Sequence, residues 1–161
     1  MPGAVVGKGA AMNLPQEGSA ISTSAPYCVL CVDDEASGLT IRQLILEQQG
    51  YLVSRAGTVA DALALFKSRD FDLVITDHLL GRETGTAMAE EMKRLKPTTP
   101  IILLSGTTDT LDGIETVDAF IIKGQGVEIL LAKVEELAIR FRANCQEARF
   151  LSKKPVTLRA S

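Results

Sequence analysis

The sequence predicts an α/β domain built on a doubly wound, five-stranded parallel sheet, and three observations carry that prediction. Short apolar runs recur along the chain: Cys28-Val29-Leu30-Cys31-Val32, Leu73-Val74-Ile75-Thr76, Ile101-Ile102-Leu103-Leu104 and Ala119-Phe120-Ile121-Ile122. Runs of this length without polar alternation read as strands buried on both faces, the usual condition of parallel strands. Stretches with helical spacing separate the runs, giving β-α repeated five times. Each run also stops on a residue able to handle phosphate or metal, namely Asp33-Asp34, Asp77, Ser105 and Lys123 in turn. In sheets of this kind the site lies beyond the carboxyl ends of the strands.

Residues 1–26 are rich in Gly, Ala, Ser and Pro without periodicity and read as a flexible N-terminal arm. The first strand begins near Tyr27. After it, Ile41, Leu44, Ile45 and Gln48 give one side of a helix that Gly50 stops. Residues 51–56 form a short second strand. Thr58 caps the next helix, whose inner stripe is Val59, Leu63 and Phe66. The third strand ends at Asp77, and Gly81 and Gly85 bracket the loop that follows. Met88, Met92 and Leu95 mark the third helix, which Pro97 and Pro100 end. Residues 106–118 hold the weakest pattern, with Gly113 interrupting Leu111, Ile114 and Val117, so a short or irregular fourth helix is expected. The last helix is the clearest, with Val127, Leu130, Leu131, Val134, Leu137, Ala138 and Phe141 on one stripe. Right-handed crossovers then favour the flavodoxin-like order 2-1-3-4-5, which sets the first and third strands side by side at the point where strand order reverses.

Composition sets the bounds. The 161 residues are 46% hydrophobic and 23% charged, enough for one domain with spare ends: an arm at 1–26, the domain at 27–142 and a basic tail at 143–161. No apolar run is long enough for a membrane-spanning helix, and the first residues lack the pattern of a secretory signal, so a cytoplasmic protein without membrane insertion is expected. Cys28 and Cys31 have CxxC spacing, yet on a strand such a pair points to opposite faces, and a single histidine cannot complete a zinc site. They read as buried apolar filler. From Arg140 onward six basic residues face one acid, a net +5 within a total of −3, which leaves −8 on residues 1–139. Without interleaved aromatics or a reading helix, that tail is not read as a nucleic-acid-binding module.

The convergence itself has a chemical meaning. Two or three carboxylates within several ångströms repel one another unless a cation lies among them. A hard divalent ion such as Mg2+, which takes one or two carboxylates plus other oxygens, resolves that repulsion. Asp33 and Asp34 form a natural metal pair, and Asp77 stands alone at the end of the neighbouring strand as the nucleophile. The backbone carbonyl of Leu79 completes the metal shell. Lys123 supplies a mobile positive charge for a phosphate oxygen and Ser105 a hydroxyl donor.

The stretches Val32-Asp33-Asp34-Glu35, Asp72-Leu73-Val74-Ile75-Thr76-Asp77, Leu103-Leu104-Ser105-Gly106 and Phe120-Ile121-Ile122-Lys123 resemble the receiver domains of two-component response regulators. The resemblance covers residues 27–142. It implies a CheY-like signalling domain, not an enzyme, that accepts a phosphoryl group on Asp77 from a histidine kinase or histidine phosphotransfer protein. It further implies that Asp33, Asp34 and Asp77 hold Mg2+, that Lys123 and Ser105 contact the phosphate, and that Ser105 with Phe120 forms the switch read by a downstream protein. Dimerisation is left open. With only about twenty residues after the last helix, a stand-alone receiver is expected.

Four departures from the family pattern stand out. Gly124 follows Lys123 where proline is usual, Lys123 follows Ser105 by only 18 positions, Leu79 occupies the second position after Asp77, and Leu79-Leu80-Gly81-Arg82 lacks a proline. They leave an alternative: a degenerate receiver that binds partners independently of phosphorylation. A metal-dependent aspartate phosphatase would need an acid where Leu79 stands. A flavin-binding domain would need a phosphate-cradling loop where Asp33-Asp34-Glu35 repels phosphate. His78, next to the nucleophile, is expected to point away from it and to serve packing.

Overall fold

The structure is a computed structural model that describes residues 25–108 and 111–153. The predicted arm lies outside the described residues apart from Ala25 and Pro26, as do residues 154–161 of the predicted tail. The elements run β1 (Cys28–Val32), α1 (Ala36–Gln48), β2 (Leu52–Ala56), α2 (Val59–Ser68), β3 (Leu73–Asp77), β4 (Leu79–Leu80), β5 (Glu83–Thr84), α3 (Gly85–Leu95), β6 (Ile101–Ser105), a 3-10 turn (Ile114–Thr116), β7 (Ala119–Ile122) and α4 (Val127–Ser152).

The five long strands form one sheet in the order β2-β1-β3-β6-β7, every pair parallel. This is the predicted doubly wound order 2-1-3-4-5. Strand alternation divides the core in two. Leu30, Val32, Val74 and Ile101 face α2 and α3, where Phe66, Met88 and Met92 meet them. Val29, Cys31, Ile75, Ile102, Leu104 and Ile121 face α1 and α4, where Leu46, Val134 and Leu137 meet them. Cys28 packs on the first cluster and Cys31 in the second, as the spacing on a strand requires.

Local chemistry sets the helix starts. Thr58 Oγ1 accepts from the Asp61 N–H, and Thr84 Oγ1 accepts from the Ala87 N–H, which satisfies one open donor at each N-terminus. Between β6 and β7, among the described residues, only the three-residue 3-10 turn appears. The interrupted Leu111–Val117 pattern has too few apolar anchors to carry a full helix. The predicted loop between Gly81 and Gly85 holds the second strand, β5, of a small antiparallel hairpin whose first strand, β4, precedes Gly81, with Leu79 opposite Thr84.

One face differs from its sequence reading. The inward residues of α1 are Leu39, Arg42 and Leu46, while Ile41 and Leu44 are exposed. The helix is apolar on several sides, so its sequence does not fix which stripe meets the sheet. α4 runs on to Ser152, past residue 142, and is held at its middle by Arg142. That side chain grips Asp72 through Nε–Oδ1 (3.2 Å) and Nη2–Oδ2 (2.6 Å) and lies over the Tyr27 ring.

Candidate functional site

The site forms where β1 and β3, the central neighbours, both end. The register pairs Val32 with Thr76, so Asp33, Asp34 and Asp77 leave the sheet together. Carboxylate oxygens of all three lie within 4.8 Å of one another. Asp33 and Asp77 are buried and Asp34 is exposed. That arrangement of hard oxygen donors, open on one side to solvent, fits a divalent cation such as Mg2+.

Each acid is also held by the protein. Asp33 Oδ1 accepts from the Glu35 N–H (3.0 Å), and Oδ2 meets Arg42 Nη2 (3.3 Å). Asp34 Oδ2 accepts from the Gly81 N–H (3.0 Å), tying the β1 end to the hairpin after β3. Asp77 Oδ1 accepts from the His78 N–H (2.9 Å), and Oδ2 pairs with Lys123 Nζ (2.9 Å). Three carboxylates therefore face two side-chain cations and three backbone donors, which offsets most of their mutual repulsion.

The remaining predicted residues fall on the same edge. β6 lies beside β3 with Leu104 opposite Asp77, which sets the buried Ser105 one residue beyond. Ser105 Oγ accepts from the Thr107 N–H, and its carbonyl accepts from the Lys123 N–H (2.7 Å). That second bond anchors the lysine, although no cis peptide is present among the described residues. Phe120 pairs with Leu103 in β7 and is half-buried. The Leu79 side chain points to solvent, 61% exposed. His78 contributes its backbone N–H to Asp77, while its ring nitrogen Nδ1 is buried without a partner.

Two residues of the site escape sequence reasoning. Arg42 sits on the inward stripe of α1, shared with Leu39 and Leu46. A charged residue at that helical position is the one signal available, and the nearby apolar residues obscure it. Gly85 is the second: a Cβ there would stand 2.2 Å from the Asp77 carbonyl oxygen. Only the tertiary approach of the α3 start to β3 reveals that demand.

The comparisons with known proteins decide the family. The profile described as the response regulator receiver domain matches residues 29–135. The chain belongs to the response regulator receiver family. Among curated proteins, this receiver domain is similar to the transcriptional regulatory protein ZraR of Salmonella typhimurium, 35% identical over 91 residues, 56% of this chain and 21% of that protein. It is also similar to the response regulator SaeR of Staphylococcus aureus, 29% identical over 118 residues, 71% of this chain and 51% of that protein. The chain thus spans between a fifth and a half of those two relatives. Among solved structures, a CheY-like receiver domain protein from Methanospirillum hungatei superposes with a TM-score of 0.69 at 28% identity, covering 74% of this chain and 99% of that one. The response regulator TrrA of Thermotoga maritima, in complex with Mg(2+)-BeF, gives 0.66 at 28% identity, covering 69% and 98%. Among the described residues, no helix is long and apolar enough to cross a membrane.

Proposed function

We propose that this receiver domain accepts a phosphoryl group on Asp77, with Mg2+ held by Asp33, Asp34, Asp77 and the backbone carbonyl of Leu79. One observation carries the reading: three carboxylates gathered within 4.8 Å, with Lys123 Nζ 2.9 Å from the Asp77 oxygen. The donor is a histidine kinase or a histidine phosphotransfer protein, and the output passes to a downstream protein.

The chemistry asks for a nucleophile, in-line approach and neutralised equatorial oxygens. Asp77 is buried, held by the His78 N–H and Lys123, and gathered with the acidic pair, which supplies the nucleophile in a fixed pose. Lys123 moves from the bare carboxylate to an oxygen of the arriving phosphoryl group and keeps its charge matched. Ser105 donates its hydroxyl to a second oxygen. When bound, Mg2+ supplies the remaining positive charge on the phosphoryl oxygens. The pull on Ser105 is felt in β6 and by its neighbour β7, where half-buried Phe120 repacks. Phenylalanine has no hydroxyl, so packing drives that step.

The test is incubation with acetyl phosphate and Mg2+, in which the phosphoryl group passes to Asp77 and acetate leaves. A mass increment on the wild type and none on Asp77→Asn supports the reading. An unmodified wild type overturns it and leaves a binding module that works without phosphate.

A further inference from the structure

Arg42 is a charged side chain in contact with the acids that the proposed chemistry does not use. It lies on the inward face of α1, nearly fully buried, with Nη2 3.3 Å from Asp33 Oδ2. Its other terminal nitrogen, Nη1, is buried and has no hydrogen-bond partner. The side chain lines a groove walled by Ile41, Leu104, Ile121 and Lys123. A guanidinium taken out of water and left with one long hydrogen bond is poorly satisfied as a donor. What remains to hold it there is charge, the carboxylate of Asp33.

The same face of α1 also makes room for the acid. Gly38 stands one turn before Arg42 on the same face. A Cβ at Gly38 would lie 3.1 Å from Asp33 Oδ2. Its absence lets the Asp33 carboxylate lie close against this turn of α1, one turn from the guanidinium that pairs with it.

We propose that Arg42 is a positioning residue that sets the affinity of the acidic cluster for its divalent cation, by acting as a permanent internal counter-ion to Asp33. This rests on the metal reading given above. The contact has two consequences. Without a bound cation, Arg42 shares with Lys123 the neutralisation of three gathered carboxylates, so the cation-free domain stays folded. With a cation present, the fixed positive charge opposes its uptake, while the 3.3 Å contact leaves Asp33 Oδ2 lone pairs free for a ligand. A unit charge beside a doubly charged ion lowers its affinity by roughly tenfold even at the high effective dielectric of a solvent-open site. The site is then loaded only at higher Mg2+ concentrations than the three acids alone would need.

The experiment titrates Mg2+ by calorimetry into the full chain, with Arg42→Met, Arg42→Gln and Arg42→Lys compared at one ionic strength. Thermal midpoints are read with and without Mg2+. The Met variant fills the buried space with an unbranched apolar chain. The Gln variant keeps an amide donor and loses the charge. The expected result is Mg2+ binding about tenfold tighter in both neutral variants, with the Lys variant within a few-fold of wild type. The neutral variants also melt lower without Mg2+ and recover the deficit at saturation, which a packing defect would not do. Unchanged or weaker Mg2+ affinity in the neutral variants, with clear uptake by wild type, overturns the role of Arg42 alone. No uptake by wild type or any variant overturns the metal reading itself. Uptake by the neutral variants only would support both.

Discussion

Lys123 Nζ lies 2.9 Å from Oδ2 of Asp77, and its backbone N–H is bonded to the Ser105 carbonyl at 2.7 Å. The two contacts fix the lysine to the ends of β3 and β6. Its side chain is still 38% exposed, so it can swing without disturbing the core. Lys123→Met should therefore leave the fold intact and lower modification of Asp77 by acetyl phosphate about a hundredfold to a thousandfold, the usual effect of removing one donor at a developing anion. Mass spectrometry of a time course with Mg2+ measures it, and equal rates would remove Lys123 from the phosphate site.

Gly85 begins α3 where that helix touches β3. Its N–H donates to the His78 carbonyl at 2.7 Å, and a Cβ would meet the Asp77 carbonyl oxygen at 2.2 Å and Leu103 Cδ1 at 2.9 Å. The first obstacle is backbone, which cannot rotate away. Gly85→Ala should lower stability by about 1–3 kcal/mol or more, although alanine favours helix. Gly106→Ala, with nothing within 4 Å of its Cβ, should stay within about 0.5 kcal/mol of wild type. Urea midpoints compare the two, and equal midpoints would refute the close approach.

The placement of Asp33, Asp34, Asp77, Ser105 and Lys123 was legible because strand ends are legible. A buried parallel strand announces itself as an unbroken apolar run, and the polar residue that stops it must lie at the sheet edge. The helices are less clear. On α2 and α4 the apolar stripe is narrow enough to point inward, and Phe66, Val134 and Leu137 are buried as read. On α1 apolar residues occur on several faces, so Ile41 and Leu44 looked inward while Arg42 holds that place. Its burial goes with its contact to Asp33, which lies outside the helix and is not a local property of it. The hairpin after β3 was hidden for a similar reason, since two-residue strands leave no period to detect.

Cys31 lies at the centre of β1, wholly buried, and its thiol is pushed up from 9.0 to about 12. Burial is the main cause; Arg42 acts in the opposite direction and Asp33 in the same one. In the unfolded chain the thiol ionises near its ordinary value, while the folded chain keeps it protonated. The resulting stabilisation is complete below pH 9 and is lost as pH rises towards 12, at a slope of up to about 1.4 kcal/mol per pH unit. Cys31→Ala should be less stable at neutral pH through its cavity, yet lose less between pH 9 and 11 than wild type. Parallel slopes in denaturant titrations over that range would exclude the thiol as the source.

Leu79 follows Asp77 by two residues and presents its side chain to solvent, 61% exposed, at the start of the hairpin. An acyl phosphate is lost when a water molecule is oriented for attack in line with the leaving carboxylate. A polar side chain at this position could hold such a water by hydrogen bonds, and leucine offers neither donor nor acceptor. The phosphoryl group on Asp77 should accordingly persist for minutes or longer without a phosphatase. Leu79→Asn, a change at an exposed position with small consequences for stability, should shorten that lifetime by about a hundredfold, the lower end of what a positioned polar group contributes. Loss of phosphate from the wild type within seconds, followed by phosphate release or by intact-mass decay, would mean that another group orients the water.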